Sequence, residues 1–308
     1  MLSRRRFVAL SAVALGGAVA TRCGGSGRPA SVAVEQLREA DNEAPPDELP
    51  AAPTVTPSPE PAVVFPAGAS ERLLLEGTAY ETPLTITHSG EPGPVLIVLG
   101  GVHGNEPGGR LAAEEVAAWS PVAGSLAVIP RANAVAIERW ERTSDDLGDL
   151  NRLYPGNPES DLPMERLAAQ IVALGKELRA TVLLDLHESW IFYAERQQDG
   201  PAFIGQTVTS GVGPMAPQLG HAVIARVNSG IAVERDLLIA RDGSAFRAPD
   251  GTAVSGLSSR GRSSLSLGGH VPGLTPILAE MGQENQAVDR RVELHLSLVR
   301  ATMDELAM

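Results

Sequence analysis

The chain has 308 residues, of which 43% are hydrophobic and only 4% aromatic, and it carries a formal net charge of −12. That length is enough for one core of medium size, and the acidic balance argues against nucleic acid or an anionic membrane surface as a partner. The single cysteine, Cys23, excludes an intramolecular disulfide.

Ser3-Arg4-Arg5-Arg6-Phe7 is a twin-arginine pattern, and the apolar stretch after it runs through Ala20. That stretch is too short and too rich in small residues to serve comfortably as a membrane span, so residues 1–23 are read as a signal peptide. Ala18-Val19-Ala20 fits a small-x-small cleavage site. The rival is lipidation of Cys23, which Arg22 immediately before it disfavours. Either way the leader resembles those of the bacterial twin-arginine route, and the expected location is the periplasm, the cell surface or the medium. Contact with a membrane is expected only through the leader or a lipid on Cys23. Residues 24–70 shift to Pro, Ala, Glu, Ser and Thr, including Ala44-Pro45-Pro46, and lack the apolar content of a core. They are read as a disordered spacer ahead of a domain over 71–308.

Within the domain, Leu73-Leu74-Leu75 and Leu84-Thr85-Ile86 predict opening strands, the second closed by Gly90-Glu91-Pro92-Gly93. Val95 to Leu99 is a continuous apolar run stopped by Gly100-Gly101, the pattern of a strand buried on both faces. Leu111, Ala112, Val116 and Trp119 recur at helical spacing. Leu126 to Pro130 predicts another buried strand, and Met164, Leu167, Ile171, Leu174 and Leu178 predict a helix introduced by Asp161 and Pro163. Thr181 to Leu186 predicts a strand ending at His187. Leu219, Val223 and Val227 suggest a third helix, and 230–273 reads as loops with room for a hairpin. Thr275 to Met281 predicts a last strand, and Val288 to Leu306 a closing amphipathic helix. Strands alternating with helices imply an α/β three-layer sandwich with a mostly parallel mixed sheet.

Ligands of such sheets bind beyond the carboxyl ends of the strands. There the chain places His103 and Glu106 in Gly101-Val102-His103-Gly104-Asn105-Glu106, and His187 in Leu184-Asp185-Leu186-His187. Two imidazoles and a carboxylate make a three-ligand zinc site with one position left open. Asn151 and Arg152, in Asp149-Leu150-Asn151-Arg152, offer a hydrogen-bond donor and a planar fork suited to a carboxylate. Glu280, in Leu278-Ala279-Glu280-Met281, is a carboxylate on an otherwise apolar strand, a costly placement unless it serves a polar site.

These four motifs, in this order, resemble the zinc carboxypeptidase superfamily. The Asp149-Leu150-Asn151-Arg152-Leu153-Tyr154-Pro155-Gly156 and Asp185-Leu186-His187 forms resemble its succinylglutamate desuccinylase/aspartoacylase branch, over roughly Leu73 to Leu306. The resemblance implies a zinc carboxypeptidase-like catalytic domain with one zinc per chain, bound by His103, Glu106 and His187. It implies Glu280 as general base, Asn151 and Arg152 as binders of the substrate carboxylate, and Arg142 as the arginine that polarises the scissile carbonyl. Asp149 would orient the first histidine from behind. Tyrosine occurs only at positions 80, 154 and 193, so the mobile tyrosine of digestive carboxypeptidases has no counterpart between Gly230 and Gly273. Aspartoacylases carry a C-terminal β domain that narrows the pocket, whereas the sequence given reaches as far as the closing helix.

The activity so implied is hydrolysis of an amide bond in an N-acyl amino acid or small peptide bearing a free carboxylate. Metallocarboxypeptidase action on peptides or cell-wall fragments is the alternative, and a non-catalytic binding domain the third reading. Asp185 shares a strand face with His187 and could assist it, although a capping or structural role is the expectation. His88, read as lying in a turn, and His221 and His295, read as lying on helices, are expected to be structural or solvent-facing. His270 is a candidate for the mouth of the site, and Arg241, Arg247, Arg260 and Arg262 are candidates for recognising an acidic acyl group, with loop decoration or solvated loop charge the more ordinary role.

Overall fold

The computed structural model describes residues 64–196, 203–241 and 262–308. The leader with Arg4, Arg5 and Cys23, nearly all of the spacer, and the candidates Arg247 and Arg260 lie outside them. The described residues all fall within one unit, residues 59–308.

In chain order the elements begin with an antiparallel pair, β1 (Gly68–Leu74) and β2 (Thr82–His88). Strand β1 thus begins within the last residues expected to be spacer. Then come β3 (Val95–Leu99), α1 (Pro107–Val116), β4 (Ser125–Ile129) and α2 (Ala134–Arg139). A 3₁₀ turn (Leu150–Arg152) precedes α3 (Pro163–Glu177), β5 (Val182–Ser189) and the single turn α4 (Tyr193–Arg196). The last part holds β6 (Thr207–Ser210), α5 (Gln218–Asn228), β7 (Ile239–Arg241), a 3₁₀ helix (Ser264–Gly269), β8 (Thr275–Gly282) and α6 (Val288–Glu305).

The eight strands form one mixed sheet in the order β1-β2-β4-β3-β5-β8-β6-β7. Its centre, β4-β3-β5-β8, is parallel. All residues of β3, β4, β5 and β8 are buried, as continuous apolar runs covered by helices on both faces should be. Strand alternation sorts them into two layers. Ile97, Leu99, Ile129 and Leu183 pack on the α3 side with Leu167 and Ile171. Leu96, Val98, Leu184 and Leu186 pack on the other side with Val116 of α1, Val223 of α5 and Leu298 of α6. This is the expected three-layer sandwich.

Two local expectations are corrected, and one helix goes beyond the sequence reading. No hairpin occurs in the described part of 230–273; instead β7 pairs in parallel with β6, which in turn runs antiparallel to β8. Helix α2, nucleated by Asn133 accepting from the Ala136 N–H, is too short to show a period. His88 ends β2 rather than lying in a turn, with Nδ1 2.6 Å from Ser125 Oγ and its ring stacked on Phe65. Among the described residues, no helix is long and apolar enough to cross a membrane.

Candidate metal centre and active-site cleft

The parallel strands β3 and β5 deliver their functional groups at their carboxyl ends. After β3 the chain turns through Gly100 and Gly101, the latter at φ +68, a left-handed value that favours glycine. The loop then presents His103 and, at the residue preceding α1, Glu106. Gly104 has to be small, because a Cβ there would lie 2.0 Å from the Ala136 carbonyl oxygen of α2. On β5, His187 occupies the strand face opposite Leu184 and Leu186, and it is completely buried.

His103, Glu106 and His187 converge on one point, with a potential ligand atom from each lying within 4.8 Å of the others. His103 Nδ1 is 2.7 Å from Glu106 Oε1, and His187 Nδ1 is 2.9 Å from Glu106 Oε2. The two Nδ1 atoms are 3.1 Å apart. Behind each ring stands a carboxylate. Asp149 Oδ1 lies 3.3 Å from His103 Nε2, and Asp185 Oδ2 lies 3.0 Å from His187 Nε2, off the line of an N–H bond but close enough for an ion pair. Carboxylates at the Nε2 positions favour the proton there, which leaves both Nδ1 lone pairs aimed inward beside two carboxylate oxygens. Electron pairs converging from four atoms are mutually repulsive in the absence of a positive charge. The donor set therefore fits a divalent cation, and nitrogen and oxygen donors in this number suit zinc.

The charges of the cluster depend on one another. Burial opposes ionisation of Glu106, but His103 and His187 outweigh it and hold the carboxyl well below its ordinary range. Burial likewise opposes charge on His187, and Asp185 and Glu106 drive its pKa well above normal, so that a proton on this ring supplies the positive charge that a bound cation would replace. Asp149 is also desolvated, yet the hydrogen bond and charge of His103, with Arg142 and Arg152 adding, bring it down to about 2. Glu280 behaves differently. It is aligned with His187 across the β5–β8 ladder, and burial, with the Glu106 charge adding, pushes it up to about 7. It is not one of the three converging groups. A carboxylate beside the centre but outside its donor set, with a pKa raised toward neutrality, is suited to proton transfer.

A cavity of about 540 Å³ opens above the centre, lined by Glu106, Arg142, Asn151, Arg152, Glu280, Trp190 and Arg241 among others. That size suits a small molecule or a short peptide end. Asn151 is fixed by accepting from the Ser264 N–H at 2.8 Å and lies 3.4 Å from His187 Nε2. Arg152 is exposed in the cleft and anchors one end of its guanidinium on the Asn151 carbonyl at 2.6 Å. Arg142 donates from Nη1 to Glu106 Oε1 at 3.0 Å, so the fork faces the centre.

Of the remaining candidates, Arg241 lines the cavity and packs over the Tyr193 ring at 5.5 Å. Arg262 pairs instead with Glu165 at 2.7 Å. His270 closes the 3₁₀ helix Ser264–Gly269 and does not line the cavity. His295 is buried on α6, and burial lowers its pKa to about 3. Asp185, expected to be structural, stands directly behind His187. Glu188, Trp190 and Gln283 were not singled out from sequence. For Glu188 a signal existed, since it continues the Leu184, Leu186 face of β5 and is charged.

Residues 92–191 match the family model described as succinylglutamate desuccinylase/aspartoacylase catalytic domain, the branch that the motifs resemble. The matched span includes His103, Glu106, Arg142, Asp149, Asn151, Arg152 and His187. No curated protein matches in sequence. Among solved structures the chain is similar to product-bound cell shape determinant protein Csd4 from Helicobacter pylori, with a TM-score of 0.55 and 17% identity, over 70% of this chain and 51% of that one. It thus spans about half the length of Csd4, a protein whose mDAP-bound form is named as that of a D,L-carboxypeptidase. It is also similar to product-bound ectoine utilization protein EutE (DoeB) from Ruegeria pomeroyi, with a TM-score of 0.54 and 17% identity, over 79% of this chain and 69% of that one. A succinylglutamate desuccinylase/aspartoacylase from Rhodobacter sphaeroides gives a TM-score of 0.50 and 18% identity, over 78% and 64% respectively. At these identities the likenesses establish the fold, and the family match supports a hydrolase of deacylase or carboxypeptidase-like type.

Proposed function

Proceeding from that family match, we propose that the chain is a zinc-dependent hydrolase that cleaves an amide bond in an N-acyl amino acid or small peptide bearing a free carboxylate. The observation that carries this reading is the convergence of His103, Glu106 and His187 at the floor of a cleft that also holds Glu280 and Arg152. His103 Nδ1, Glu106 and His187 Nδ1 would hold the ion. The chemistry supplied by a bound zinc is that of a Lewis acid, which acidifies water and polarises a carbonyl.

The chain's own residues account for the rest. Arg152, with Asn151 beside it, receives the substrate carboxylate as a charge-assisted pair and sets the distance of the scissile amide from the centre. Arg142 directs its fork toward charge developing on the carbonyl oxygen. Glu280 takes the proton of the attacking water and passes it to the departing amine. Asp149 and Asp185 keep the histidine Nε2 protons in place, so that the Nδ1 atoms face inward.

Peptides or cell-wall peptide fragments are the second substrate class. The feature favouring them is Trp190, 64% exposed on the cleft wall, where it can carry a longer substrate. The deciding experiment is turnover on a panel of N-acyl amino acids, peptides and cell-wall fragments, each free and amidated at the carboxylate, before and after zinc removal. We expect near-stoichiometric zinc and turnover of free-carboxylate N-acyl amino acids that disappears with chelation and returns with zinc. Turnover of peptides alone would favour the carboxypeptidase reading. Binding without any turnover would leave a non-catalytic domain.

The twin-arginine pattern supports export as the setting of this activity. Replacing Arg4 and Arg5 with Lys should retain the protein inside the cell, and normal export of the double variant would refute that assignment.

A further inference from the structure

Glu106 is the residue at which α1 begins, the position whose side chain ordinarily accepts a hydrogen bond from the first free N–H groups of the helix. It makes no such bond. Its two oxygens are engaged by His103, His187 and Arg142, and the Glu188 backbone N–H donates to Oε2 at 2.9 Å. Pro107 has no N–H, so Gly108 carries the first donor of the helix. That donor is satisfied from another element, because Gly108 N–H donates to Glu188 Oε1 of β5 at 3.0 Å.

We propose that Glu188 is a positioning residue that caps α1 in place of Glu106 and so frees the Glu106 carboxylate for the metal. The proposal rests on the zinc reading above. Its placement is otherwise hard to explain. Glu188 is 3% exposed, and it continues the strand face that Leu184 and Leu186 bury against α1 and α6. An unpaired carboxylate there would be strongly destabilising. Arg291 of α6 approaches Oε2 at 3.3 Å, and Gln283 donates to the same atom at 2.9 Å. Gln283 also donates to the Asn105 carbonyl at 2.9 Å, so the loop carrying His103 and Glu106 is tied to the same carboxylate. Gly108 is the residue that admits this contact, since a Cβ there would lie 2.2 Å from Glu188 Oε1. The exchange is reciprocal: the Glu188 amide holds Glu106, and the Glu188 side chain holds the helix that presents it.

The test is the zinc dissociation constant of the folded protein, measured by competition with a chromogenic chelator. It is measured for the native chain, Glu188→Ala, Gly108→Ala, Glu188→Gln, and a Leu298→Ala control that disturbs the α6 core without touching the loop. Loss of an outer partner of a metal ligand typically weakens binding roughly 10–100-fold, and we expect that range for Glu188→Ala and Gly108→Ala. Glu188→Gln should recover part of the loss, because it returns an oxygen to Gly108 while setting an NH₂ against Gln283 and Arg291. Leu298→Ala should lower the melting temperature but leave zinc affinity unchanged. If Glu188→Ala melts earlier yet binds zinc as the native chain does, Glu188 is merely structural and the proposal is overturned. If the native chain itself binds no zinc, the reading of the site fails first, and the positioning role falls with it.

Discussion

At the scale of single residues, what matters is that the two groups read as receiving the substrate carboxylate are themselves fixed by partners within the protein. Asn151 is held by the Ser264 amide, and Arg152 leans on the Asn151 carbonyl with one nitrogen while the rest of its fork stays in the cleft. That division predicts a selective defect. Arg152→Lys keeps the charge but loses the two-pronged geometry, and a charge-assisted hydrogen bond is worth about 1.5–3 kcal/mol. The KM for free-carboxylate substrates should therefore rise by roughly ten- to a hundredfold, while amidated substrates change little. Steady-state kinetics on matched pairs checks this. Equal losses on both would mean that Arg152 does not read the carboxylate.

At the scale of elements, the site depends on where two strands end and on how tightly the following turns pack. Gly104 lies against α2 with no room for a methyl group. Gly104→Ala should thus displace either α2 or the loop that carries His103, at a cost of about 1–3 kcal/mol. A lowered melting temperature together with weakened zinc binding is the expected result, and an unchanged melt would show that the loop can shift freely.

The same scale explains what could be read from sequence. Strands β3 and β5 are legible because burial on both faces demands unbroken apolar runs, and α3 and α6 because they are long enough to show a stripe. Strand β6, Thr207–Ser210, has four residues and no apolar run. Strand β7, Ile239–Arg241, has three, and its partner is set by tertiary pairing rather than by a turn. Neither leaves a periodic signal. His103, Glu106, Asn151, Arg152 and His187 could be named because motif order carries them. The roles of Asp185 and Glu188 depend on tertiary partners: Asp185 shares a strand face with His187 and stands behind its ring, whereas Glu188 meets Gly108, Gln283 and Arg291, which come from other elements and which strand alternation does not identify.

At the scale of the whole molecule, the three layers divide the labour. One face of the sheet, with α1 and α6, buries the supports of the loop that carries His103 and Glu106, and the carboxyl ends of β3, β5 and β8 open into the cleft. Residue 280 is where these layers meet the chemistry. It comes from β8, far in sequence from the other groups, and register alone aligns it with His187. The central claim is that this carboxylate moves a proton and does not hold the ion. Glu280→Gln keeps size and hydrogen bonding but cannot accept that proton. The direct measurement is zinc content and turnover of the Glu280→Gln protein, side by side with the native chain. The account predicts full zinc content, an unaltered fold and a kcat lower by roughly 10²–10⁴. Retained turnover in the zinc-loaded variant would contradict it, and loss of zinc would make Glu280 a ligand instead.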